Sequence, residues 1–266
     1  MVKNFDMSKK IAVCISGEMR YFNDPIVIDG YNKFVGTHNP DVFISTWDHV
    51  GHSMNHGYIN PDDNKTVDKT IANSIRSIYS NIKDIKEENY NDWFNSINPD
   101  IKKHVYAPCY NPLTINSYAQ IYKIYDSINL KSNYEKQNNF KYDVVIRLRA
   151  DSLFVNHFDL DINDSTIYNI NFGVAYYPNR IYDILFYGDS DSMDLLAESF
   201  VNYVDLLGNE FHNGLCKRDA CRLLYLQCML SDLKVESVNT RLCDIYRGQG
   251  FDEYYNLIKS WGEHRI

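Results

Sequence analysis

Long apolar runs are missing from this chain. After the polar start MVKNFDMSKK the first apolar stretch is IAVCI, too short for a signal-peptide core or a membrane span. A soluble, cytoplasmic protein with no transmembrane segment is therefore expected. An excess of positive charge is missing too. Lys and Arg number 27 against 35 Asp and Glu, and the net charge of −8 argues against nucleic acid as a partner, because neutralising phosphates needs a basic face. A small basic pocket stays open as an option, with Arg147 and Arg149 as its first candidates. The six cysteines (Cys14, Cys109, Cys216, Cys221, Cys228, Cys243) include no CxxC pair, which fits reduced thiols, and Cys14 reads as a small hydrophobe in a strand. No repeat, low-complexity tract or linker interrupts the sequence. With 44% hydrophobic and 23% charged residues, positions 1–266 read as one α/β domain. The 22 tyrosines, alongside frequent Asn, Ile, Asp and Lys, reflect an AT-rich coding bias more simply than a sugar-stacking surface.

Periodicity sets out the expected elements. Lys10 to Ser16 is a β-branched apolar strand ending at Gly17. Pro25 to Val35 is a helix, and Asp41 to Ser45 a second strand after the breaker Asn39-Pro40, which together make a βαβ unit. Polar Gly51 to Lys65 reads as a long loop, and Thr66 to Tyr79 as a helix. Strands are expected over Ile82 to Ile85 and Lys103 to Tyr106, and an amphipathic helix over Ser117 to Asn133. Tyr142 to Leu148 is the strongest central strand. Beyond it come a strand over Asp183 to Tyr187, helices over Ser190 to Leu206 and Lys217 to Leu230, and a strand over Lys234 to Val238. Turns are expected at Gly208 and at Gly248 to Gly250.

The segment Tyr142 to Phe154 carries the densest chemistry. A central strand ending in a charged turn delivers those charges to the carboxyl edge of the sheet, where open α/β sheets bind ligands. Arg147, Arg149 and Asp151 alternate, so an extended backbone would point all three to one side. That set suits a metal-bearing diphosphate, with the acid on the cation and the guanidiniums on phosphate oxygens. It suits an internal Arg–Asp ion-pair network equally.

YDVVIRLRADSLF resembles the metal-motif strand of GT-A glycosyltransferases, in which an apolar strand runs into D-x-D. KIAVCISGEMR, NPDVFISTWD, the helix-and-strand stretch from Asn116 to Phe154 and YDILFYGDSDSMDLLAESF also resemble, in order, elements of small viral and bacterial glycosyltransferases, such as the N-terminal domain of a chlorella-virus enzyme. The resemblance implies a GT-A (nucleotide-diphospho-sugar transferase) fold with a mostly parallel sheet flanked by helices. It implies transfer of a sugar from a UDP- or GDP-sugar to a glycan, lipid-linked or protein acceptor, in the host cytoplasm if the source is viral. Ser16, Gly17, Arg20, Thr46, Trp47, Asp48, Tyr118, Gln120, Lys123, Arg147 and Arg149 would contact the nucleotide-sugar. Asp151 would ligate Mn2+ or Mg2+, and Asp183 would be the catalytic base, with Asp189, Asp191 and His212 as second choices.

In one respect the chain departs from that pattern: Arg149 stands where D-x-D has its first acid, which leaves a metal-independent or a non-catalytic sugar-nucleotide-binding protein open. Residue by residue, plainer readings stand beside the implied ones. Gly17 fits any strand-end turn, Trp47 any core aromatic, Lys123 a solvated helix charge, and Asp183 a strand-start turn acid. His49, His52 and His56 lack the tight Cys or His spacing of a zinc site. Arg247, His264 and Arg265 are a tail that folds over donor phosphates or frays. A nucleotidyltransferase shares the expected topology, but SGEMRYFNDP lacks the second glycine and the lysine of a triphosphate loop.

Overall fold

The structure, a computed structural model, describes residues 9–48, 71–105, 113–154, 160–170, 179–212, 219–238 and 243–245. Strand β1 (Ile11–Ser16) leads through helix α1 (Pro25–Phe34) to β2 (Asp41–Trp47). Helix α2 (Ile71–Ile78) precedes β3 (Ile82–Glu88), and α3 (Tyr90–Ser96), α4 (Pro99–Val105) and the long α5 (Leu113–Asn138) precede β4 (Val144–Leu148). Then follow β5 (Ser152–Phe154), β6 (Thr166–Ile170), β7 (Leu185–Gly188), α6 (Ser190–Ala197), α7 (Tyr203–His212), α8 (Ala220–Leu230), β8 (Lys234–Val238) and β9 (Cys243–Ile245).

Among the described residues seven strands form one sheet in the order β3-β2-β1-β4-β7-β6-β8. Six run one way, and β7 is antiparallel to both of its neighbours. The first half, β3-β2-β1-β4, has the strand order of a doubly wound Rossmann-like half-sheet. Its switch point lies between β1 and β4, where the chain leaves β1 in one direction and later returns on its other side. β5 and β9 pair separately.

Both faces of the sheet are covered, which is why β1, β2 and β4 read as unbroken apolar runs. Side chains alternate between the two cores. Ile11, Val13 and Ile15 join Tyr31 and Val35 near α1 and Ile71 and Ile75 of α2. Ala12 and Cys14 instead meet Ile124 and Ile128 of α5, Met193 and Leu196 of α6 and Leu224 of α8. Each fully buried Val, Ile or Phe contributes about 1.5–3 kcal/mol of apolar transfer free energy, so these two layers are the main source of stability. A third, aromatic cluster (Trp47, Trp93, Tyr118, Tyr203) caps the carboxyl end of β2.

Several sequence expectations are corrected. Lys103 to Val105 is the end of helix α4 and not a strand; the Asn98 side chain accepts from the Asp100 amide and opens that helix just ahead of Pro99, and the buried Val105 anchors its last turn. The helix expected over Ser190 to Leu206 is two, broken after Ala197, and Val204 faces outward. Gly208 lies inside α7 and marks no turn. The strand expected at Asp183 starts at Leu185, β3 runs on to Glu88, and α5 extends in both directions. Sequence reading missed α3, β5, β6 and β9. The expected loop over Gly51 to Lys65, and the turn at Gly248 to Gly250, lie outside the described residues.

Gly188 ends β7 against β6, and a Cβ there would sit 2.8 Å from the Thr166 backbone oxygen. Gly188→Ala is expected to lower the urea midpoint by an amount worth about 1–3 kcal/mol, the usual cost of forcing atoms into packed structure. Gly208→Ala, with nothing within 4 Å of the new methyl, should raise stability by about 0.5–1 kcal/mol through helix propensity.

Candidate functional site

The carboxyl ends of β1 and β4 meet at the switch point. Gly17 takes a φ of 107°, a conformation that L side chains rarely adopt, and its amide donates to the Ser45 carbonyl at 3.1 Å. The backbone does not stay extended past β4. Ser152 N–H donates to the Arg149 carbonyl at 3.2 Å, so Arg149-Ala150-Asp151-Ser152 is a tight turn. The expected alternation of Arg147, Arg149 and Asp151 on one side is thereby replaced by a fold-back. Asp151 returns onto Arg149.

That pair is bidentate. Arg149 Nε donates to Asp151 Oδ1 and Nη2 donates to Oδ2, both at 2.8 Å, and the Asp151 side chain is only 3% exposed. Arg149 Nη1 donates to Asp183 Oδ2 at 2.9 Å, and Gln120 of α5 donates to the same oxygen. Asp183 reaches this edge because β7 runs backwards, so the residues leading into it arrive where β4 ends. Arg149 and Asp183 keep 21% and 19% of their side-chain surface open.

Arg147 is turned inward. Its Nε donates to Ser16 Oγ at 2.8 Å, Nη2 to the Ser16 carbonyl at 3.3 Å and Nη1 to the Asp183 carbonyl. Its guanidinium carbon lies 5.4 Å from the Phe186 ring centroid, and the residue is 1% exposed. It ties the end of β1 to the lead-in of β7. Burial brings its pKa down to about 10, with Asp183 opposing, so it stays a cation at neutral pH. Burial would likewise lower Arg149, but Asp151 and Asp183 outweigh it and push the group well up. Burial would raise Asp183, yet the two guanidiniums and the Gln120 bond hold it below the usual carboxylate range. Cys221, whose Sγ is 3.9 Å from Asp183 Oδ1, is pushed up by burial and the neighbouring carboxylate, and remains a thiol.

The other candidates are distributed around this centre. Arg20 pairs with Glu18 in the loop after β1. Thr46 is fully buried and donates to the Trp47 carbonyl. Trp47 is 3% exposed and packs on Tyr90, Trp93 and Tyr122, with Lys123 Nζ 3.9 Å from its ring centroid. Asp48 is exposed and accepts from Asn89 Nδ2 at 2.7 Å. Tyr118 packs on Trp93, Phe200 and Tyr203. Lys123 is not a solvated helix charge: it is fully buried and donates to Glu88 at 2.7 Å. Burial lowers Lys123, opposed by Glu88; Glu88 would be raised by burial, but Lys123, Tyr122 and Lys86 hold it down. Asp189 caps α6 by accepting from the Ser192 amide, and Asp191 pairs with Lys141 at 2.9 Å, so both serve α6 and not the switch point. His212 ends α7. His49, His52, His56, Arg247, His264 and Arg265 lie outside the described residues.

Sequence reading missed Glu88, Asp126, Lys86 and Tyr122. Glu88 accepts from Tyr122 and Lys123, while Asp126 accepts from Ser45 at 2.6 Å and Lys86 at 2.8 Å. The signal that marks them is the alternation of Lys86 with Glu88, which lies beyond the strand expected over Ile82 to Ile85. Beside this network is a cavity of about 290 Å³ lined by Glu88, Asn89, Asp92, Trp93, Ser96 and Tyr122.

Asp151 does not fit a divalent cation as arranged. Both of its oxygens are engaged by Arg149, and among the described residues no group of three or more His, Cys, Asp or Glu could hold a metal ion. A divalent ion about 4 Å from that guanidinium would meet roughly 8 kcal/mol of repulsion at an effective dielectric of about 20. No helix among the described residues is long and apolar enough to cross a membrane. No protein-family model matches the sequence, and no curated protein matches it at a significant level.

Asp183 and Glu88 carry depressed pKa values, so each stabilises the fold above its ordinary value of 3.8 or 4.5 and loses that contribution as pH falls through the lower, folded value. Chemical denaturation at a series of pH values is expected to show stability dropping steeply below about pH 4. Asp183→Asn should flatten part of that slope, and an unchanged slope would show that Asp183 is not ion-paired in solution.

Proposed function

We propose that this chain is a glycosyltransferase of the GT-A type, moving a sugar from a UDP- or GDP-sugar to a hydroxyl of a glycan, lipid-linked or protein acceptor. The observation that carries the reading is the placement of Arg149, Asp183 and Gln120, from the turn after β4, the lead-in to β7 and helix α5, at the carboxyl edge beside the β1/β4 switch point, with Arg149 and Asp183 still one-fifth open. Open α/β sheets bind nucleotides at that edge. The order of the motifs along the chain, and the mostly parallel sheet flanked by helices, support the same assignment.

In this reading Arg149 directs its remaining N–H groups to phosphate oxygens, and Gly17 lets the backbone approach the nucleotide closely. Asp183 is the base that takes the acceptor hydroxyl's proton. Held low by Arg149, it is ionised at neutral pH. A phosphate bound on the two remaining N–H groups of Arg149 shares the guanidinium's charge without displacing it, which weakens that hold and strengthens Asp183 as a base when donor is present. A second reading, a sugar-nucleotide-binding protein without turnover, is favoured by one observation: the closed Arg149–Asp151 pair.

Calorimetric titration with UDP and GDP, with and without Mn2+, tests the donor site. One of the two nucleotides is expected to bind, and Arg149→Ala to weaken it about tenfold or more, in line with the worth of charge-assisted hydrogen bonds. Release of nucleotide from the matching sugar donor should be slowed roughly a hundredfold or more by Asp183→Asn with little change in binding, the usual share of a general base. Binding without turnover, even with acceptors supplied, selects the second reading. Binding of neither nucleotide refutes the donor site.

A further inference from the structure

The guanidinium of Arg149 lies between two carboxylates, 2.8 Å from both oxygens of Asp151 and 2.9 Å from one of Asp183. We infer that Arg149 fills the position a divalent cation would take between these acids, so the site works with a built-in organic cation and holds no metal of its own. The ligand this serves, a nucleoside diphosphate, rests on the proposed donor site; the absence of a resident metal does not.

A cation-binding acid needs a free lone pair directed at the ion, and Mg2+ or Mn2+ also needs space for a complete oxygen shell. Asp151 offers neither, being 3% exposed with each oxygen already accepting from Arg149. The arginine is not an incidental neighbour that could swing away at no cost. Its three donors are committed to two acids on separate segments, and leaving would strand a buried carboxylate. Two guanidiniums, Arg147 and Arg149, already balance two carboxylates, Asp151 and Asp183, so the cluster has no negative charge left to attract a cation. Arg149 uses three of its five N–H groups in these bonds, which leaves two for an anionic ligand. The same triplet explains the departure from D-x-D: exchanging the first acid for arginine supplies the cation covalently.

Mn2+ alone is the probe. Free Mn2+, followed by electron paramagnetic resonance while metal is added to the wild-type protein, should show no bound ion that Asp151→Asn removes. A site that binds one Mn2+ and loses it in Asp151→Asn would overturn the inference. Arg149→Asp restores the first acid of the D-x-D pattern and is expected to bind Mn2+ at least about tenfold more tightly than wild type, with a melting temperature that rises on adding the metal, because binding to the native state alone stabilises it. Arg149→Gln, which adds no third acid, is the second variant should Arg149→Asp fail to fold, and the same gain is expected. A folded variant with no gain in Mn2+ binding would overturn the claim that Arg149 fills the cation position. UDP and GDP affinities in EDTA and in excess Mn2+ should agree within about twofold, a difference worth under about 0.5 kcal/mol. A preference for Mn2+ of tenfold or more would overturn the inference and leave the donor site standing. If neither nucleotide binds in either buffer the donor site fails, and the Mn2+ titrations still decide this question.

Discussion

Arg149 holds Asp151 with one edge of its guanidinium and Asp183 with another, and the carboxyl edge of the sheet is organised around that shared cation. Asp151 is brought in by the turn that ends β4, and Asp183 by the segment entering β7. A buried carboxylate without a counter-ion destabilises the fold, and Arg149 supplies that counter-ion to both acids. Arg147 lies beneath, bonded to Ser16 and to the Asp183 carbonyl, so the ends of β1 and β4 and the entry to β7 are joined through two guanidiniums. One cation thus balances two carboxylates and sets the charge of the whole edge.

The opposite edge has buried charge of a different kind. Lys131, fully buried on α5, donates to Glu135, Ser190 and Asp194, and Glu135 also accepts from the Tyr142 amide just before β4 and from Ser190. These bonds fix α5 and α6 against the start of β4. Buried networks of this sort specify register more than they add stability. The two edges differ in access: Lys131 and Glu135 are sealed, whereas Arg149 and Asp183 keep part of their surface in solvent.

Much of this fold could be read from the residues, because strands buried on both faces leave an unmistakable apolar run. KIAVCIS, DVFIS and YDVVIRL became β1, β2 and β4 almost to the residue. Short amphipathic pieces were harder. Lys103 to Tyr106 has a strand-like look, but the residues that decide it, Asn98 and Pro99, lie outside the window and start a helix. The helix break after Ala197 has no proline or glycine to announce it. In the site, residue types and edge were legible and geometry was not: alternation along the sequence predicts a common direction only while the backbone is extended, and it turns at Ala150. Lys123 shows the other gap. A single lysine on a helix is ordinarily solvated, and only the strand carrying Glu88, together with the Trp47 ring, makes its burial tolerable.

Helix α5 connects these observations. Gln120 and Lys123 are three residues apart, hence on one helical face, and Lys131 follows two turns later. Lys123 is locked to Glu88 on β3 and Lys131 to Glu135 and α6, so both the rotation and the axial position of α5 are set by buried cations. Gln120 therefore meets Asp183 at a height the helix cannot easily change. One oxygen of the Asp183 carboxylate accepts from both Gln120 on α5 and Arg149, which fixes its place. Both partners are themselves anchored, Gln120 by the helix and Arg149 by Asp151, so the placement of Asp183 is set by the fold. The pairing with Arg149 also offsets the desolvation cost of holding an acid at this partly closed edge.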